Sequence, residues 1–458
     1  MDKLFAIFRK YFAVVAVLLA IIMSVIDGTI VNVALPTLAH DFNTTPSLII
    51  WVVNAYQLII TISLLSFASL GDIYGYRRIF LIGISIFVLA SFSCALSDSL
   101  WMLILSRIIQ GFGAACVMSV NTALIRLIYP PEVLGRGMGV NAMVVAVSAA
   151  AGPSLAGAIL SFTSWHWLFA INIPLGIAAF IIGYMLLPPN PKVEERHKFD
   201  MISALANAFT FGLLVYSLDG FAHSENHNLI YVQLFLVLVV GIYYVRRQLR
   251  QSNPLLPVDL LRIPIFSLSI TTSILSFTAQ MLAMVSLPFF FQNVLGYSAV
   301  EIGLLLTPWP LATILTAPVA GRLVERVHPG LLGGMGMILF ATGLFLLYSL
   351  PPHPEEWNIV WRMVVCGMGF GLFQTPNNVT IVSSAPVHRS GGASGMLGTA
   401  RLLGQTLGTT FVALLYRMYS HDRGSLLALV AAASFALVAG VVSCLRLSQS
   451  TPVQQRKE

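Results

Sequence analysis

The chain has 458 residues, of which 57% are hydrophobic and only 9% are charged. A soluble domain carries about 25% charged residues, so a soluble protein of this length is excluded, because it would lack the charges to cover its surface. The formal net charge of +7 is spread over many short loops, which indicates membrane topology and not a nucleic-acid-binding surface.

Apolar blocks recur along the whole chain, and each approaches or exceeds the roughly 20 residues that a helix needs to cross a membrane. The first block follows Lys10 and is too long for the core of a signal peptide, so we expect it to be retained. The pattern predicts an all-α polytopic membrane protein with 14 transmembrane helices, at 11–35, 46–70, 79–97, 100–125, 137–160, 165–187, 200–218, 228–245, 266–291, 300–320, 331–349, 358–382, 393–415 and 425–444.

The basic residues orient these helices. Loops on the side of the two termini hold 20 of the 25 Lys and Arg residues, whereas the opposite loops hold only Arg417 and Arg423. Because Lys and Arg concentrate in cytoplasmic loops, we predict that both termini are cytoplasmic.

The two ends of the chain resemble each other, which indicates an internal repeat. Short patterns recur at offsets between 252 and 258. Gly111-Phe112-Gly113 returns as Gly369-Phe370-Gly371, and Leu35-Pro36, at the predicted end of helix 1, returns as Leu287-Pro288. The repeat predicts an N-terminal six-helix half (1–189), an inserted two-helix linker (190–263), a C-terminal six-helix half (264–446) and a cytoplasmic tail (447–458). Parallel repeats of this kind are typical of transporters, with the substrate site between the halves.

Asp27 is the strongest candidate for a functional residue. Of 18 acidic residues, it alone lies well inside a predicted span, and an intramembrane carboxylate is costly enough to indicate a role in binding and releasing a proton. It could instead only tie helices together by hydrogen bonds. Arg107 in helix 4 is its expected counter-charge, although a guanidinium can also clamp helix carbonyls; both interpretations stay open.

The loop between helices 2 and 3 is a candidate conformational latch. It contains Asp72, Gly75, Arg77 and Arg78, and Glu325 occupies the matching place in the second half. Gly75 permits a turn that residues with a Cβ resist. A loop that only sets topology is the alternative.

Helix 5 carries a run of small residues that includes Gly152, Pro153 and Gly157. Small residues allow helices to approach closely, and proline bends a helix. The run therefore predicts either close packing alone or a tight seal that excludes water from the centre of the protein.

Together these segments resemble the fourteen-helix branch of the drug:proton antiporters in the major facilitator superfamily. The resemblance covers the whole chain and rests on the helix 1 segment from Asp27 to Pro36, on Arg107-Ile108-Ile109-Gln110-Gly111, on Gly152-Pro153 through Gly157, and on Trp165-His166-Trp167-Leu168-Phe169 with Asn172-Ile173-Pro174. The helix 5 motif is typical of antiporters, so the resemblance implies export. It also implies a location in a bacterial cytoplasmic (inner) membrane. The latch loop departs from the family pattern at Ala68 and Ile73.

The resemblance also implies which helices line the substrate cavity. Polar residues in those helices are candidate substrate contacts, although each could merely tie helices together: Asn32, Tyr56, Asn141, Gln280, Gln374, Asn377, Asn378 and Arg401.

We therefore expect a monomeric transporter, and no enzyme, that exports hydrophobic or amphipathic small molecules or drugs in exchange for protons. A dedicated exporter of an endogenous metabolite or siderophore is the alternative. The expected partners are a small-molecule substrate, protons and membrane lipid. No nucleic acid, metal or cofactor is expected, since the proton gradient supplies the energy and the four cysteines lie singly in apolar segments.

Overall fold

A computed structural model describes residues 2–129, 134–189, 199–223, 227–251, 254–324, 326–351, 353–385, 390–419 and 421–448. Within these ranges the chain is helical, without β-strands. The α-helices are α1 (Asp2–Asp41), α2 (Pro46–Ile49), α3 (Trp51–Tyr74), α4 (Tyr76–Ala95), α5 (Leu100–Ile128), α6 (Leu134–Phe162), α7 (His166–Ala170), α8 (Asn172–Leu186), α9 (Met201–His223), α10 (His227–Gln248), α11 (Pro264–Phe289), α12 (Ala299–Leu306), α13 (Pro308–Leu323), α14 (Pro329–Tyr348), α15 (Glu356–Ser384), α16 (Ser390–Met418) and α17 (His421–Leu445).

Three membrane helices are broken once each, so these seventeen segments form the fourteen helices that the sequence predicts. The breaks fall at Ile50, at Ile171 and at Thr307, which joins α12 to α13. Pro308, whose missing N–H suits the first turn of a helix, restarts the helix after Thr307. By length and composition alone, eleven helices in the described ranges can cross a membrane. The prediction of an all-α polytopic fold is confirmed.

The prediction that helix 1 ends at Leu35-Pro36 is wrong. Pro36 lies inside α1, which continues to Asp41, and Pro288 likewise lies inside α11. Proline removes a hydrogen-bond donor, but membrane helices tolerate it because neighbouring helices satisfy the freed backbone groups. The Leu-Pro pair therefore marks a point within each helix and not its end.

Glycine pairs bring helices close together at matching places in the two halves. A Cβ on Gly113 of α5 would lie 2.8 Å from the carbonyl oxygen of Gly83 in α4. A Cβ on Gly369 of α15 would lie 2.7 Å from the carbonyl oxygen of Gly336 in α14. Both distances are shorter than real Cβ contacts, so only glycine allows these backbones to pack directly.

Hydrogen bonds join the two halves in the part of the bundle that lies away from the termini. Asn54 of α3 donates to the hydroxyl of Thr410 in α16 (3.1 Å) and accepts from Thr409 (2.6 Å). Seven residues further along α3, the Thr61 and Thr406 hydroxyls lie 3.1 Å apart. We call these contacts the α3–α16 closure.

A second contact between the halves joins α6 to α12. A Cβ on Gly303 would lie 2.5 Å from the carbonyl oxygen of Pro153, and one on Gly157 would lie 3.1 Å from the carbonyl oxygen of Ala299. We call this contact the α6–α12 closure. Both closures seal the side of the bundle opposite the termini.

The inserted helix pair is attached to both halves. α9 packs against α10, α3 and α16, and the Asn207 side chain donates to the backbone carbonyl of Ile62 in α3 (2.9 Å). At its other end, Asp200 accepts hydrogen bonds from Arg247, Gln251 and Ser203. Burial raises the pKa of Asp200, but these hydrogen bonds outweigh it and hold that pKa well below its usual range.

Candidate functional site

Asp27 forms a fully buried ion pair with Arg107 at the centre of the N-terminal half. Neither side chain is exposed, and the Arg107 Nη1 lies 2.5 Å from the Asp27 Oδ2. α1 supplies the carboxylate and α5 the guanidinium, so the pair crosses between two helices that contact each other. The expected pairing of these two residues is what the structure shows.

Two amides complete the coordination of the carboxylate. Gln110, one turn after Arg107 in α5, donates to the Asp27 Oδ1 (3.0 Å). Asn172, the first residue of α8, donates to the same oxygen (2.8 Å). Gln110 is itself held in place, because its Oε1 accepts from Arg107 (2.6 Å) and its Nε2 donates to Ser91 (2.9 Å). Both oxygens of Asp27 are therefore paired.

The guanidinium is enclosed by aromatic rings and by a backbone carbonyl. The Arg107 Cζ lies 3.9 Å from the centre of the Tyr56 ring and 5.7 Å from that of Phe169. Its Nε donates to the carbonyl of Val52 in α3 (3.0 Å). Aromatic faces attract a cation, so Arg107 binds an acid, a carbonyl and two rings at once.

The two charges of this pair depend on each other. A buried ion pair is stable only while both charges are present and satisfied. A proton on Asp27 would remove one charge and leave Arg107 uncompensated among α1, α3 and α5. A rearrangement of these helices that brought Arg107 to other acceptors would then lower the free energy. Even with Asp27 ionised, one Arg107 nitrogen, Nη2, has no hydrogen-bond partner among the described residues.

The described latch residues lie where α3 ends and α4 begins. Gly75 joins α3 to α4 with a φ of 100°, in the range that favours glycine. The exposed Asp72 accepts from the Tyr76 hydroxyl (2.7 Å), and Arg77 donates to the backbone carbonyl of Tyr184 in α8. Arg78 is exposed, and Glu325 lies outside the described residues. The latch role stays a prediction.

The helix 5 motif faces two different partners. A Cβ on Gly152 would lie 2.0 Å from the hydroxyl of Thr29 in α1, two residues after Asp27. Pro153 and Gly157 form the α6–α12 closure with the other half. The motif thus connects the helix that carries the buried carboxylate with the boundary between the halves.

Four of the eight predicted cavity residues are held by, or buried beside, other helices. Tyr56 is 2% exposed and donates to the carbonyl of Ser24 beneath Arg107. Asn141 accepts from Asn121 (3.1 Å). Asn32 is buried, and its Oδ1 has no hydrogen-bond partner among the described residues.

Asn377 is the fourth, and it belongs to a polar cluster of the C-terminal half. Its Nδ2 donates to Ser273 (2.8 Å), and its Oδ1 accepts from Arg446 (2.7 Å), an arginine with no exposed surface. The Arg446 guanidinium also donates to the hydroxyls of Ser269 and Ser443. Asn377 therefore holds α11, α15 and α17 together.

The other four predicted cavity residues are partly exposed and make no side-chain hydrogen bond to the described residues. They are Gln280 in α11, Gln374 and Asn378 in α15, and Arg401 in α16. All four lie in the C-terminal half, so the unpaired polar groups of the candidate cavity are concentrated there.

Asn172 is the functional candidate that the sequence analysis left out of the site. It lies in the Asn172-Ile173-Pro174 segment, which is part of the resemblance to known antiporters. The sequence therefore marked this segment, but it did not indicate that Asn172 contacts Asp27. No group of three or more His, Cys, Asp and Glu side chains in the described part of the chain could hold a metal ion.

Comparison with known proteins is consistent with this geometry. Residues 17–409 match the Major Facilitator Superfamily. The chain is 59% identical over 441 residues to the Uncharacterized transporter YebQ of Escherichia coli (strain K12), with 96% of each chain covered. It is 30% identical to the Riboflavin transporter RibZ of Clostridioides difficile (strain 630), covering 88% of this chain and 87% of that one. It is 31% identical to the Multidrug resistance protein Stp of Mycobacterium tuberculosis (strain CDC 1551 / Oshkosh), covering 85% and 73%.

The same fold occurs in a solved structure of a POT family transporter in complex with a thioalcohol-conjugated peptide. The TM-score is 0.72 at 15% identity, with 95% of this chain and 96% of that chain covered. At this identity the likeness concerns the arrangement of helices alone.

Proposed function

The chain belongs to the Major Facilitator Superfamily, and we propose that it exports hydrophobic or amphipathic small molecules across the cytoplasmic membrane in exchange for protons. The observation that carries the proposal is the fully buried Asp27–Arg107 pair. The Asp27 carboxylate has no access to solvent and is held by an arginine and an amide from α5 and by an amide from α8. A buried charge of this kind inside a membrane is costly and indicates a function. Proton exchange coupled to helix movement is such a function.

The state of the closures fits one step of such a cycle. Both closures seal the side opposite the termini, and in this state both oxygens of Asp27 are occupied by donors. Three N–H donors, one of them on the Arg107 cation, stabilise the negative charge of this carboxylate. Closing the outer side therefore accompanies proton release from Asp27, and reopening it accompanies proton uptake.

Export follows if the termini are cytoplasmic, as the distribution of Lys and Arg predicts. With the outer side closed and Asp27 ionised, the protein takes substrate from the cytoplasm. After reorientation, a proton from outside binds Asp27, releases Arg107 and returns the empty transporter. The names of relatives such as Stp support efflux as the direction.

The test is proton release driven by substrate in inverted membrane vesicles. Vesicles are energised, their interior acidity is followed with a quenched acridine dye, and ethidium, chloramphenicol and a dansylated amine are added in turn. We expect at least one compound to dissipate the pH gradient in vesicles that contain the wild-type protein, and not in empty vesicles.

Asp27→Asn is the decisive variant, with Asp98→Asn as its matched control because Asp98 is an exposed loop acid. We expect Asp27→Asn to reduce the response to that of empty vesicles and Asp98→Asn to respond like wild type. A wild-type response from Asp27→Asn would contradict the proposed role of the buried pair.

A dedicated metabolite exporter is the second candidate, and the 30% identity to RibZ, named as a riboflavin transporter, favours it. A strain that lacks the protein separates the two. Raised sensitivity to many unrelated compounds supports broad efflux, whereas accumulation of one endogenous compound inside the cells supports a dedicated carrier.

A further inference from the structure

We propose that Arg401 anchors the substrate and that the protein therefore favours molecules with an anionic group such as a carboxylate. This inference rests on the proposed function, since it names the substrate class of the same transporter. It is argued from a difference in burial and pairing: Arg401 is partly exposed and unpaired among the described residues, whereas Arg107 and Arg446 are fully buried and hydrogen-bonded.

Three arginines lie deep in the bundle and differ in how they are satisfied. Arg107 is paired with Asp27 and has no exposed surface. Arg446 is equally buried and donates to neutral oxygens of Asn377, Ser269 and Ser443. Arg401 is partly exposed and makes no hydrogen bond or ion pair to the described residues. A guanidinium has five N–H donors. Arg107 Nη2 is also unpaired among the described residues, but it is fully buried, so of the three arginines only Arg401 combines unpaired donors with an exposed surface that a ligand can reach.

The neighbours of α16 show where Arg401 points. On one side of this helix, Gly404 and Gly408 pack against α11, because a Cβ on either would lie within 2.7 Å of that helix. About 160° away around the helix, at about 100° per residue, Leu402 packs near Leu64 and Thr406 bonds to Thr61, both in α3. Arg401 lies between these two directions.

The side chain thus projects toward the region between α11 of one half and α3 of the other. Gln405, one turn later on the same face, is also partly exposed, and its side chain makes no hydrogen bond to the described residues. α9 packs against both α16 and α3. Arg401 and Gln405 form a polar stripe that faces the centre of the molecule.

The depth of Arg401 matches a substrate site. It lies eleven residues after Ser390, roughly 16 Å along the helix axis at 1.5 Å per residue, which is near the middle of a membrane. It also lies five residues before Thr406, on the side of the α3–α16 closure that holds the termini. A molecule entering from that side would meet Arg401 directly below the closure.

The acidic group of the core is not available to attract a cation. Asp27 has no exposed surface, and its oxygens accept from Arg107, Gln110 and Asn172. The unpaired groups of the candidate cavity are neutral amides together with Arg401. Among the described residues, the accessible charge at the centre is therefore positive.

Guanidinium and carboxylate fit each other in a bidentate pair, and the pairing is strong where water is scarce. An unpaired cation deep in a membrane protein is costly. An anionic substrate removes that cost on binding, whereas a cationic substrate raises it. This difference makes the site selective for the charge of the substrate. The surrounding side chains contact its apolar part.

The experiment uses three probes with one fluorescent core. Dansylglycine carries a carboxylate, dansylamide is neutral, and dansylcadaverine carries an amine cation at pH 7. Their binding to the purified protein in detergent is followed by dansyl fluorescence without any proton gradient. We expect the wild type to bind dansylglycine at least tenfold more tightly than dansylcadaverine.

Two variants assign the preference to the side chain. Arg401→Gln removes the charge and is expected to weaken dansylglycine binding at least tenfold while dansylamide binding stays within twofold, which also shows that the variant is folded. Arg401→Lys keeps a charge but loses the planar fork and should retain part of the preference. Equal binding of the three probes by wild type, or an unchanged preference in Arg401→Gln, would overturn the inference.

The outcome is independent of proton coupling. If Asp27→Asn transports like wild type while the carboxylate preference holds, coupling through Asp27 fails and the anion site stands. If the preference is absent while substrate-driven proton release depends on Asp27, the proposed function stands and the anion site fails.

Discussion

The two halves share their helix packing but not their charges. Gly113 with Gly83 in one half has the same close contact as Gly369 with Gly336 in the other. Yet at the sequence offsets of the repeat, Ala279 stands where the first half has Asp27, and Val365 stands where it has Arg107. The packing glycines are present in both halves, whereas the buried acid–base pair is present in the N-terminal half alone among these matched positions. Under the proposed function, the two halves therefore have different tasks, with the proton bound in one half and the substrate anchored in the other.

The largest expected effect is on the N-terminal half. Arg107→Met leaves Asp27 buried without its cation, and breaking a buried pair in this way costs about 3–5 kcal/mol of folding free energy. Thermal unfolding in detergent, followed by tryptophan fluorescence, should show a clearly lower midpoint. The double variant Asp27→Asn with Arg107→Met should recover most of the loss, because no charge then remains. A double variant no more stable than the single one would argue against a coupled pair.

Asn172→Ala tests whether the amide from α8 belongs to the same site. It removes one of the donors on the Asp27 Oδ1, and hydrogen bonds to charged groups contribute about 1.5–3 kcal/mol. We expect a smaller fall in the unfolding midpoint and a weaker substrate-driven proton release. Asn378→Ala, at a residue with no hydrogen bond in the described structure, is the control and should leave the midpoint close to that of wild type.

Gly303→Ala tests the boundary between the halves. A Cβ there would lie 2.5 Å from the Pro153 carbonyl oxygen, and overpacking of this kind costs about 1–3 kcal/mol. Because the clash exists only with the outer side closed, the variant should favour the open state. A cysteine placed at Asn54 should then react faster with a membrane-impermeant thiol reagent. Gly212→Ala, which meets nothing within 4 Å, should not change that rate.

The smallest effect is expected in the C-terminal half. Arg446→Met removes hydrogen bonds to Asn377, Ser269 and Ser443 but also removes a buried cation that has no acid beside it in the described residues. The lost bonds and the relieved charge oppose each other, so we expect a net change of about 1 kcal/mol or less in the free energy of unfolding. A loss as large as that of Arg107→Met would mean that both halves depend equally on a buried arginine.

The sequence predicts the fourteen helices and the acid–base pair because both follow from composition. Long apolar blocks are forced by the thickness of the hydrocarbon core, and a single interior acid, Asp27, needs an interior cation such as Arg107. The breaks at Ile50 and Ile171 could not be predicted, since no Gly or Pro stands at either position. The end of α1 could not be read from Pro36, because neighbouring helices allow the helix to continue.

The remaining details of the site depend on how helices rotate against each other. Asn172 reaches Asp27 only because α8 packs on α1, and Tyr56 lies under Arg107 because α3 packs on α5. From the sequence, the eight polar cavity candidates could not be ranked against each other. Their separation into tied residues, such as Asn377, and open ones, such as Arg401, comes from tertiary contacts that no local pattern encodes.

The position of α9 decides how lipid-soluble molecules can approach. It lies against α3 and α16 at once, with Asn207 bound to the backbone of α3, and so covers the seam between the halves on that face of the protein. A compound dissolved in the bilayer cannot slip sideways between α3 and α16 without displacing a whole membrane helix. Lateral entry of a lipid-dissolved compound would therefore have to use another face of the protein, because the inserted helix pair blocks this one.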